Sequence, residues 1–259
     1  MAHFIDTHCH FDFPPFTGAE VESLSMAEQA GVRQIIVPAV TSDRFQGIVR
    51  LAKQHPQLYA ALGLHPLYIA QHRDADIDLL DGFLAQRDNK LVAVGEIGLD
   101  LYMEEPQFEK QQRLLKSQFA LAKRENLPVI LHSRRSHDPL AAMLRQAKLP
   151  ATGVVHGFAG SLSQAHAFVK LGFAIGVGGT ISFERAQKTR NVMAQLPLSS
   201  LLLETDAPDM PLQGFQGQPN RPERAAAIFD VLCELRQESP EQIASALLEN
   251  SRRVFALPL

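Results

Sequence analysis

Short apolar, β-branched runs alternate with longer amphipathic stretches along the whole chain of 259 residues. The short runs are typical of buried strands, and a 3.6-residue spacing of apolar residues between them is typical of helices. Strands are predicted near 4–8, 34–40, 58–64, 91–96, 128–132, 152–156, 173–178 and 201–206. Helices are predicted over 19–30, 44–54, 77–86, 107–125, 139–146, 163–171, 183–195 and 224–236, with two further pieces at 240–249 and 251–255.

This alternation limits the possible folds to a few. Eight β-then-α units leave about 32 residues for each unit, which is typical of a (β/α)8 barrel. The predicted strands are continuous apolar runs, as expected when helices cover both faces of a parallel sheet. No linker-like segment interrupts the pattern, so we predict one α/β domain, a single TIM barrel over 1–259. A doubly wound open sheet is the alternative, and it needs crossover points that the regular alternation does not suggest.

Composition excludes several classes of protein. A formal net charge of -3 argues against a basic protein that coats nucleic acid, so an anionic substrate needs a local positive site. Two cysteines cannot form a disulfide framework, and no apolar run approaches the length of a membrane span. The first residues, MAHFIDTHCHFD, lack the basic and apolar parts of a secretory signal. We therefore expect a cytoplasmic protein with no membrane contact and no obligate protein partner.

Residues of the kinds that bind metals fall at the ends of five predicted strands. His8 and His10 lie two apart at the end of the first strand, so both side chains point to the same side. The other four strand ends carry Glu96, His132, His156 and Asp206. Val92 and Val94 have the same parity as Glu96 and are expected to point into the barrel with it. Barrel enzymes build their sites at this C-terminal end of the strands.

Four imidazoles and two carboxylates at one rim are costly to bury without partners, and metal ions supply those partners. Six ligands are too many for one tetrahedral ion with an open position, and they suit two ions that share a carboxylate. We expect one ion at His8, His10, Glu96 and Asp206, and the other at Glu96, His132 and His156. The expected cofactors are two divalent ions, zinc or another first-row ion being favoured over Mg or Mn by the four histidines.

Two ions, two carboxylates and a bound hydroxide give this site a net charge of about +1, which attracts an anionic or carbonyl oxygen. A metal-bound hydroxide is the expected nucleophile. Asp206 is the expected acceptor of the proton that the attacking water loses, and Glu96 is the expected bridge between the ions. These two carboxylates are the predicted catalytic residues.

Supporting residues are also predicted. His65 ends the third strand and either contacts substrate, supports the ligands or has a purely structural role. Asp6 and Glu204 lie one layer deeper than the ligands, and we expect them to orient the ligand histidines rather than form a structural polar pair. Asp100 and Tyr102, after the fourth strand, are weaker candidates for lining the pocket.

Basic residues near the rim are candidates for binding a phosphate. Arg134 follows His132 by two positions and is expected to face the rim. A basic cluster follows the seventh strand, where barrels commonly bind phosphate, and the alternative for it is a solvated helix face. The cluster consists of Arg185, Lys188 and Arg190.

Six short segments occur in order along the chain: IDTHCHFDF at 5–13, GLHP at 63–66, VGEIGLD at 94–100, ILHSR at 130–134, HGFAGS at 156–161 and ETDAP at 204–208. Together they resemble the motifs of the TatD-type metal-dependent deoxyribonucleases, part of the amidohydrolase-like barrel group. The resemblance implies metal ligation by the same six residues and 3′-5′ exonuclease or other DNase activity. QPNRPER at 218–224 rearranges the family's usual Arg-Asn-Glu-Pro, in a loop expected to shape substrate access.

The sequence therefore predicts a two-metal hydrolase that cleaves DNA phosphodiester bonds. One alternative is a metal-dependent hydrolase of C–N bonds, lactones or small phosphoesters, because the same site polarises a carbonyl equally well. Another is a degraded barrel that serves as a binding scaffold, which predicts lost ligands. All six predicted ligands are present in this sequence.

Overall fold

The computed structural model describes residues 1–258, and its eight strands form one parallel sheet in chain order. The strands are β1 (Phe4–Asp6), β2 (Val32–Pro38), β3 (Leu58–Leu62), β4 (Leu91–Asp100), β5 (Val129–Arg134), β6 (Gly153–Val155), β7 (Ala174–Val177) and β8 (Leu201–Leu203). The amide of Thr7 donates to the carbonyl of Leu203 at 3.0 Å, which joins the last strand to the first. This sequential order confirms the (β/α)8 barrel and excludes the doubly wound open sheet.

The described residues contain nine α-helices, which surround the barrel. They are α1 (Glu20–Gln29), α2 (Phe45–Gln54), α3 (Asp74–Ala85), α4 (Phe108–Glu125), α5 (His137–Ala147), α6 (Leu162–Lys170), α7 (Gln187–Gln195), α8 (Ala225–Leu235) and α9 (Pro240–Phe255). Short 3-10 turns precede several of them, including Gly179–Ser182 before α7. Within residues 1–258, none of the helices is both long and apolar enough to cross a membrane.

The predicted break in the last helix is wrong. Helix α9 is continuous through 240–255 rather than split into two pieces. Asn250 lies inside the helix, and its Nδ2 donates to the carbonyls of Leu198 and Leu201, both at 2.9 Å. Asn250 thus anchors the helix to the start of β8.

Apolar side chains fill the barrel interior below the site. This inner cluster consists of Ile5, Ile36, Tyr59, Ala61, Val92, Ala93, Ile130, Val154, Ala174 and Leu202. Phe255 and Leu257, at the end of α9, complete the cluster. The packed interior has no room for a site. The polar side chains of the site lie instead at the C-terminal ends of the strands, as is usual in barrels of this kind.

Strand β4 departs from the predicted regular alternation. It continues past Glu96 to Asp100, and its pairing with β5 shifts register after Val94. Val92 and Ala93 both lie in the inner cluster, whereas Val94 packs in the outer layer against the helices. The shared inward parity predicted for Val92, Val94 and Glu96 is therefore wrong. Glu96 lies in the irregular stretch of β4. An irregularity of this kind changes the direction of a side chain, and here it turns Glu96 toward the site.

Candidate metal centre

The structure brings the six predicted ligands together at the C-terminal end of the barrel. A cavity of about 370 Å³ opens there. Five of the ligands line it: His10, Glu96, His132, His156 and Asp206. His8 is completely buried beside them, with its ring stacked on that of His156 at a centroid distance of 3.5 Å.

Glu96 lies at the centre, and its two carboxylate oxygens face different imidazoles. Oε2 lies 3.0 Å from Nε2 of His8 and 3.5 Å from Nε2 of His10. Oε1 lies 3.2 Å from Nδ1 of His132 and 3.1 Å from Nε2 of His156. Ligands bound to one tetrahedral zinc ion stand about 3.3 Å apart, so these separations are those of atoms that share a cation.

Asp206 completes the group on the Oε2 side. Its Oδ1 lies 3.5 Å from Nε2 of His8 and 3.4 Å from Nε2 of His10. The backbone of Asp206 is left-handed, with φ at 60°, and its amide donates to the carbonyl of His8 at 2.8 Å. A left-handed residue other than glycine is uncommon and is often retained where it aims a functional group.

The carboxylates of the centre attract positive charge to the histidines around them. Burial would raise the pKa of Glu96, but the surrounding histidines, His65 first, hold it well below its usual range. Burial would likewise lower the pKa of His10, but Asp206 and Glu96 raise it to about 10. Among the described residues, Oε1 of Glu96 is buried without a hydrogen-bond partner. A divalent cation among these nitrogen and oxygen donors would replace the proton that the two carboxylates hold on His10, so the residues present fit a metal site.

His65 joins the centre on the Oε1 side, at 3.0 Å from Glu96 through its Nε2. Its Nδ1 accepts a hydrogen bond from the amide of Leu67 at 3.0 Å, and burial lowers its pKa to about 4. The ring is therefore neutral and carries its proton on Nε2. His65 is placed as a hydrogen-bond donor facing the cavity, since a protonated nitrogen cannot bind a metal.

His132 also carries its proton on Nε2, but Asp100 holds that nitrogen away from Glu96. Oδ2 of Asp100 lies 2.7 Å from Nε2 of His132, which leaves Nδ1 to face Glu96. Gln111 fixes Asp100 by accepting from its amide and donating to its carbonyl, both at 2.8 Å. Asp100 was expected to line the pocket, but it is completely buried behind His132. Its place at the end of β4 is the signal that could have identified this role.

Asp100→Asn is expected to weaken metal binding about 10- to 100-fold, the usual effect of losing an outer partner of a ligand histidine. The amide keeps the shape of the side chain but can present its NH2 group to His132 and disturb the tautomer. Metal affinity is measured by competition with a chromogenic chelator. Asp78→Asn, an equal charge change at an exposed residue of α3, is the control. Equal affinities in both variants would show that Asp100 does not orient His132.

Glu204 lies beside His156, as expected for a supporting carboxylate. Its Oε1 accepts from the amide of Gly157 at 2.5 Å and lies 3.4 Å from Nδ1 of His156. Gly176 on β7 faces this carboxylate so closely that a Cβ there would collide with it. A glycine is therefore required at this position to make room for Glu204.

Asp6 has a different environment from Glu204. Its Oδ2 accepts from the Thr205 hydroxyl at 2.5 Å, and its Oδ1 accepts from the amides of Thr205 at 2.9 Å and His8 at 3.2 Å. Burial raises the pKa of Asp6 to about 7. Asp6 thus holds the backbones that carry His8 and Asp206, rather than an imidazole.

Gly176→Ala is expected to displace the Glu204 carboxylate and to lower metal affinity about 10-fold or more through His156. The fold should survive because the atoms in the way are the end of a flexible side chain. Gly47→Ala, in α2 where a Cβ meets nothing within 4 Å, is the matched control. A Gly176→Ala protein with unchanged metal affinity would contradict the role given to Glu204.

The predicted basic contacts divide into two groups. Arg134 lines the cavity, as expected. Arg185 and Arg190 are not among the residues that line it. Nη1 of Arg190 donates to the carbonyl of Ile181 at 2.5 Å, and the guanidinium of Arg185 lies 5.1 Å from the ring centroid of Phe183. A backbone contact thus holds Arg190, whereas Arg185 is exposed beside Phe183.

A (β/α)8 barrel with a histidine- and carboxylate-rich centre at the ends of its strands defines a class of metal-dependent hydrolases. The chain belongs to the TatD family within that class, because the family model described as TatD related DNase matches residues 5–256. This match confirms the resemblance seen in the sequence motifs. The protein is accordingly a metal-dependent hydrolase that acts on ester bonds.

Individual relatives agree with this assignment. The chain is 61% identical over 258 residues to the metal-dependent hydrolase YjjV of Escherichia coli (strain K12), with 100% of both chains covered. The crystal structure of YjjV, described as a TatD homolog, matches with a TM-score of 0.97 at 62% identity, over 98% of each chain. A relative from Rahnella sp. (strain Y9602) named 3'-5' ssDNA/RNA exonuclease TatD is 30% identical over 250 residues, covering 93% of this chain and 94% of its own.

Proposed function

We propose that the protein is an exonuclease that hydrolyses phosphodiester bonds at the 3′ end of single-stranded DNA. The observation that carries this proposal is the position of Glu96, whose two oxygens face two separate sets of ligand atoms. Such an arrangement suits two divalent ions bridged by one carboxylate, a centre used widely for phosphodiester cleavage. The name of the Rahnella relative supports the same substrate class.

The residues divide between the two ions according to the oxygen of Glu96 that they face. The first ion would be held by His8, His10, Asp206 and Oε2 of Glu96. The second ion would be held by His132, His156 and Oε1 of Glu96. When bound, two such ions polarise a phosphoryl oxygen and lower the pKa of the attacking water.

Asp206 is the proposed proton acceptor. Burial would raise its pKa, but His156, then His10 and His8, lower it below its usual range, so the carboxylate is ionised. Its Oδ1 faces the two histidines, and its side chain is 22% exposed toward the cavity. Oδ2 is therefore available to accept a proton from water, while Asp206 remains a ligand.

His65 is the proposed donor to the substrate. Its Nε2–H lies 3.0 Å from Oε1 of Glu96, at the cavity wall. Oε1 of Glu96 does not accept a hydrogen bond from it, so a phosphate oxygen in the cavity would accept one, and neutral donors of this kind stabilise charge that develops during hydrolysis. Arg134, on the same wall, adds a positive charge for a phosphate.

The test is to strip the protein with a chelator and restore Mg, Mn, Co and Zn singly. Each form is assayed on single-stranded DNA labelled at its 5′ end, beside bis(p-nitrophenyl) phosphate and a lactone. A metal-dependent ladder of progressively shorter labelled DNA is expected. Turnover of the lactone beside intact DNA would overturn the proposal and indicate a carbonyl substrate.

A further inference from the structure

Two arginines flank one exposed tyrosine next to the mouth of the cavity. The guanidinium carbon of Arg134 lies 3.9 Å from the ring centroid of Tyr102, and that of Arg135 lies 4.4 Å from it. All three residues are exposed, Tyr102 at 49%. In the part of the chain that the structure describes, neither guanidinium forms an ion pair with a carboxylate. We name these three residues the Tyr102 platform.

The platform is joined to the metal centre through β4 and β5. Arg134 lines the cavity, and its carbonyl accepts from the amide of Leu101 at 2.9 Å. The amide of Tyr102 donates to Oδ1 of Asp100 at 2.9 Å, while Oδ2 of the same carboxylate faces His132. The platform thus lies next to the part of the cavity wall that contains His132, which faces Oε1 of Glu96.

The rim of the cavity has further exposed apolar side chains. Leu67 and Met210 line the cavity and are 45% and 49% exposed. With Tyr102, they are three of the seven large hydrophobic residues exposed within residues 1–258. Leu67 and Met210 thus give the mouth of the cavity an apolar border, which is suited to flat, partly apolar groups.

The combination of features selects one kind of occupant. Two exposed guanidiniums without a carboxylate partner among residues 1–258 favour anions, and the aromatic ring that they cover is a surface on which a base can stack in place of one of them. The net charge of the protein is -3, so this local positive charge is needed to hold a polyanion near the centre. A nucleic-acid strand presents a phosphate and a flat base at every nucleotide, whereas an acidic peptide has no flat group that accompanies each of its charges.

We propose that the Tyr102 platform binds the single-stranded backbone next to the nucleotide held at the metal centre. Neighbouring phosphates pair with Arg134 and Arg135, and one base takes the place of a guanidinium on the face of Tyr102. The substrate is then a strand of several nucleotides rather than a mononucleotide or a small ester. This inference rests on the proposed function, because it concerns the same centre and the same phosphodiester substrate.

Three variants test the platform in the Mn-loaded protein: Tyr102→Ala, Tyr102→Phe and Arg135→Ala. Tyr102→Ala should raise the KM for a single-stranded oligonucleotide about 10-fold, in line with the loss of one stacked base, while Tyr102→Phe should restore it. Arg135→Ala should raise the same KM and reduce the salt dependence of oligonucleotide binding by about one phosphate contact. The KM for bis(p-nitrophenyl) phosphate, which is too small to span both sites, should change by less than about two-fold.

Arg50→Ala, an equal charge change at an exposed residue of α2, is the control and should alter neither substrate's kinetics. An unchanged oligonucleotide KM in Tyr102→Ala, or equal changes for both substrates, would overturn the platform and leave the proposed nuclease function standing. A wild-type protein that cleaves the small diester but no oligonucleotide would overturn both.

Discussion

Glu96→Gln is expected to bind at most one of the two metal ions proposed for the centre and to lower kcat/KM more than about 100-fold, a larger loss than that of an outer partner of a ligand. The amide has the shape of the carboxylate but lacks its charge, and it cannot bridge two cations. Five imidazole nitrogens lie 3.0–3.5 Å from the Glu96 carboxylate, so one substitution affects both sides of the centre. Metal content is measured by mass spectrometry after gel filtration, together with kcat/KM on single-stranded DNA.

Glu249→Gln, an equal change at an exposed residue of α9, is the control for Glu96→Gln and should retain wild-type metal content. Circular dichroism checks that both variants have the fold of the wild type. If Glu96→Gln retained two ions and full activity, the bridging position of Glu96 would be wrong. Loss of activity with both ions retained would also contradict the bridge. If Glu96 bridges the ions, its substitution should lower metal content and activity together.

Asp206→Asn is expected to lower kcat about 100- to 10,000-fold, the range associated with loss of a general base. His8, His10 and Glu96 still face the first ion, so the variant should bind metal more weakly yet reach full occupancy at high concentration. Single-turnover cleavage of labelled DNA at saturating Mn separates the chemical step from metal binding. An Asp206→Asn protein that regains wild-type kcat at saturating metal would show that Asp206 is a ligand alone.

Asp230→Asn is the matched control for this second variant. Asp230 is exposed on α8, away from the cavity, and the substitution removes one negative charge, as Asp206→Asn does. Its single-turnover rate should equal that of the wild type. A similar loss in both variants would point to the general charge of the protein rather than to the proton acceptor.

The sequence was sufficient to predict the fold because the pattern of strands and helices repeats through the chain. Local apolar periodicity determines each unit, and eight sequential units allow few other arrangements. The placement of His132 and His156 followed from strand parity, since each comes two positions after an interior strand residue, Ile130 or Val154. Ligand-type residues at strand ends were thus found without any knowledge of the three-dimensional structure.

At Glu96, the alternation of side chains along a strand did not predict which residues face the interior of the barrel. Register shifts in β4 place Val94 outside the barrel, and they depend on how neighbouring strands pair, which one segment's pattern does not encode. The carboxylate still reaches the centre because the irregular stretch turns it inward. Its location was therefore predicted, but for a reason that the structure corrects.

Side-chain orientation was the other part that sequence could not supply. His65 acts as a donor because its Nδ1 accepts from the amide of Leu67, which leaves the proton on Nε2. Asp100 acts through His132, because it holds Nε2 of that ring and leaves Nδ1 to face Glu96. Arg190 was a reasonable phosphate candidate by position, yet its guanidinium is used by the local backbone. Such outcomes depend on tertiary contacts between segments far apart or on loop geometry, neither of which follows periodicity.

The most direct test of the account is an anomalous diffraction map of crystals of this protein grown with Mn or Zn. We expect two peaks at the mouth of the barrel, both in contact with Glu96. One should lie among His8, His10 and Asp206, and the other between His132 and His156. The absence of any peak beside Glu96, with metal bound elsewhere in the crystal, would contradict the metal centre described here.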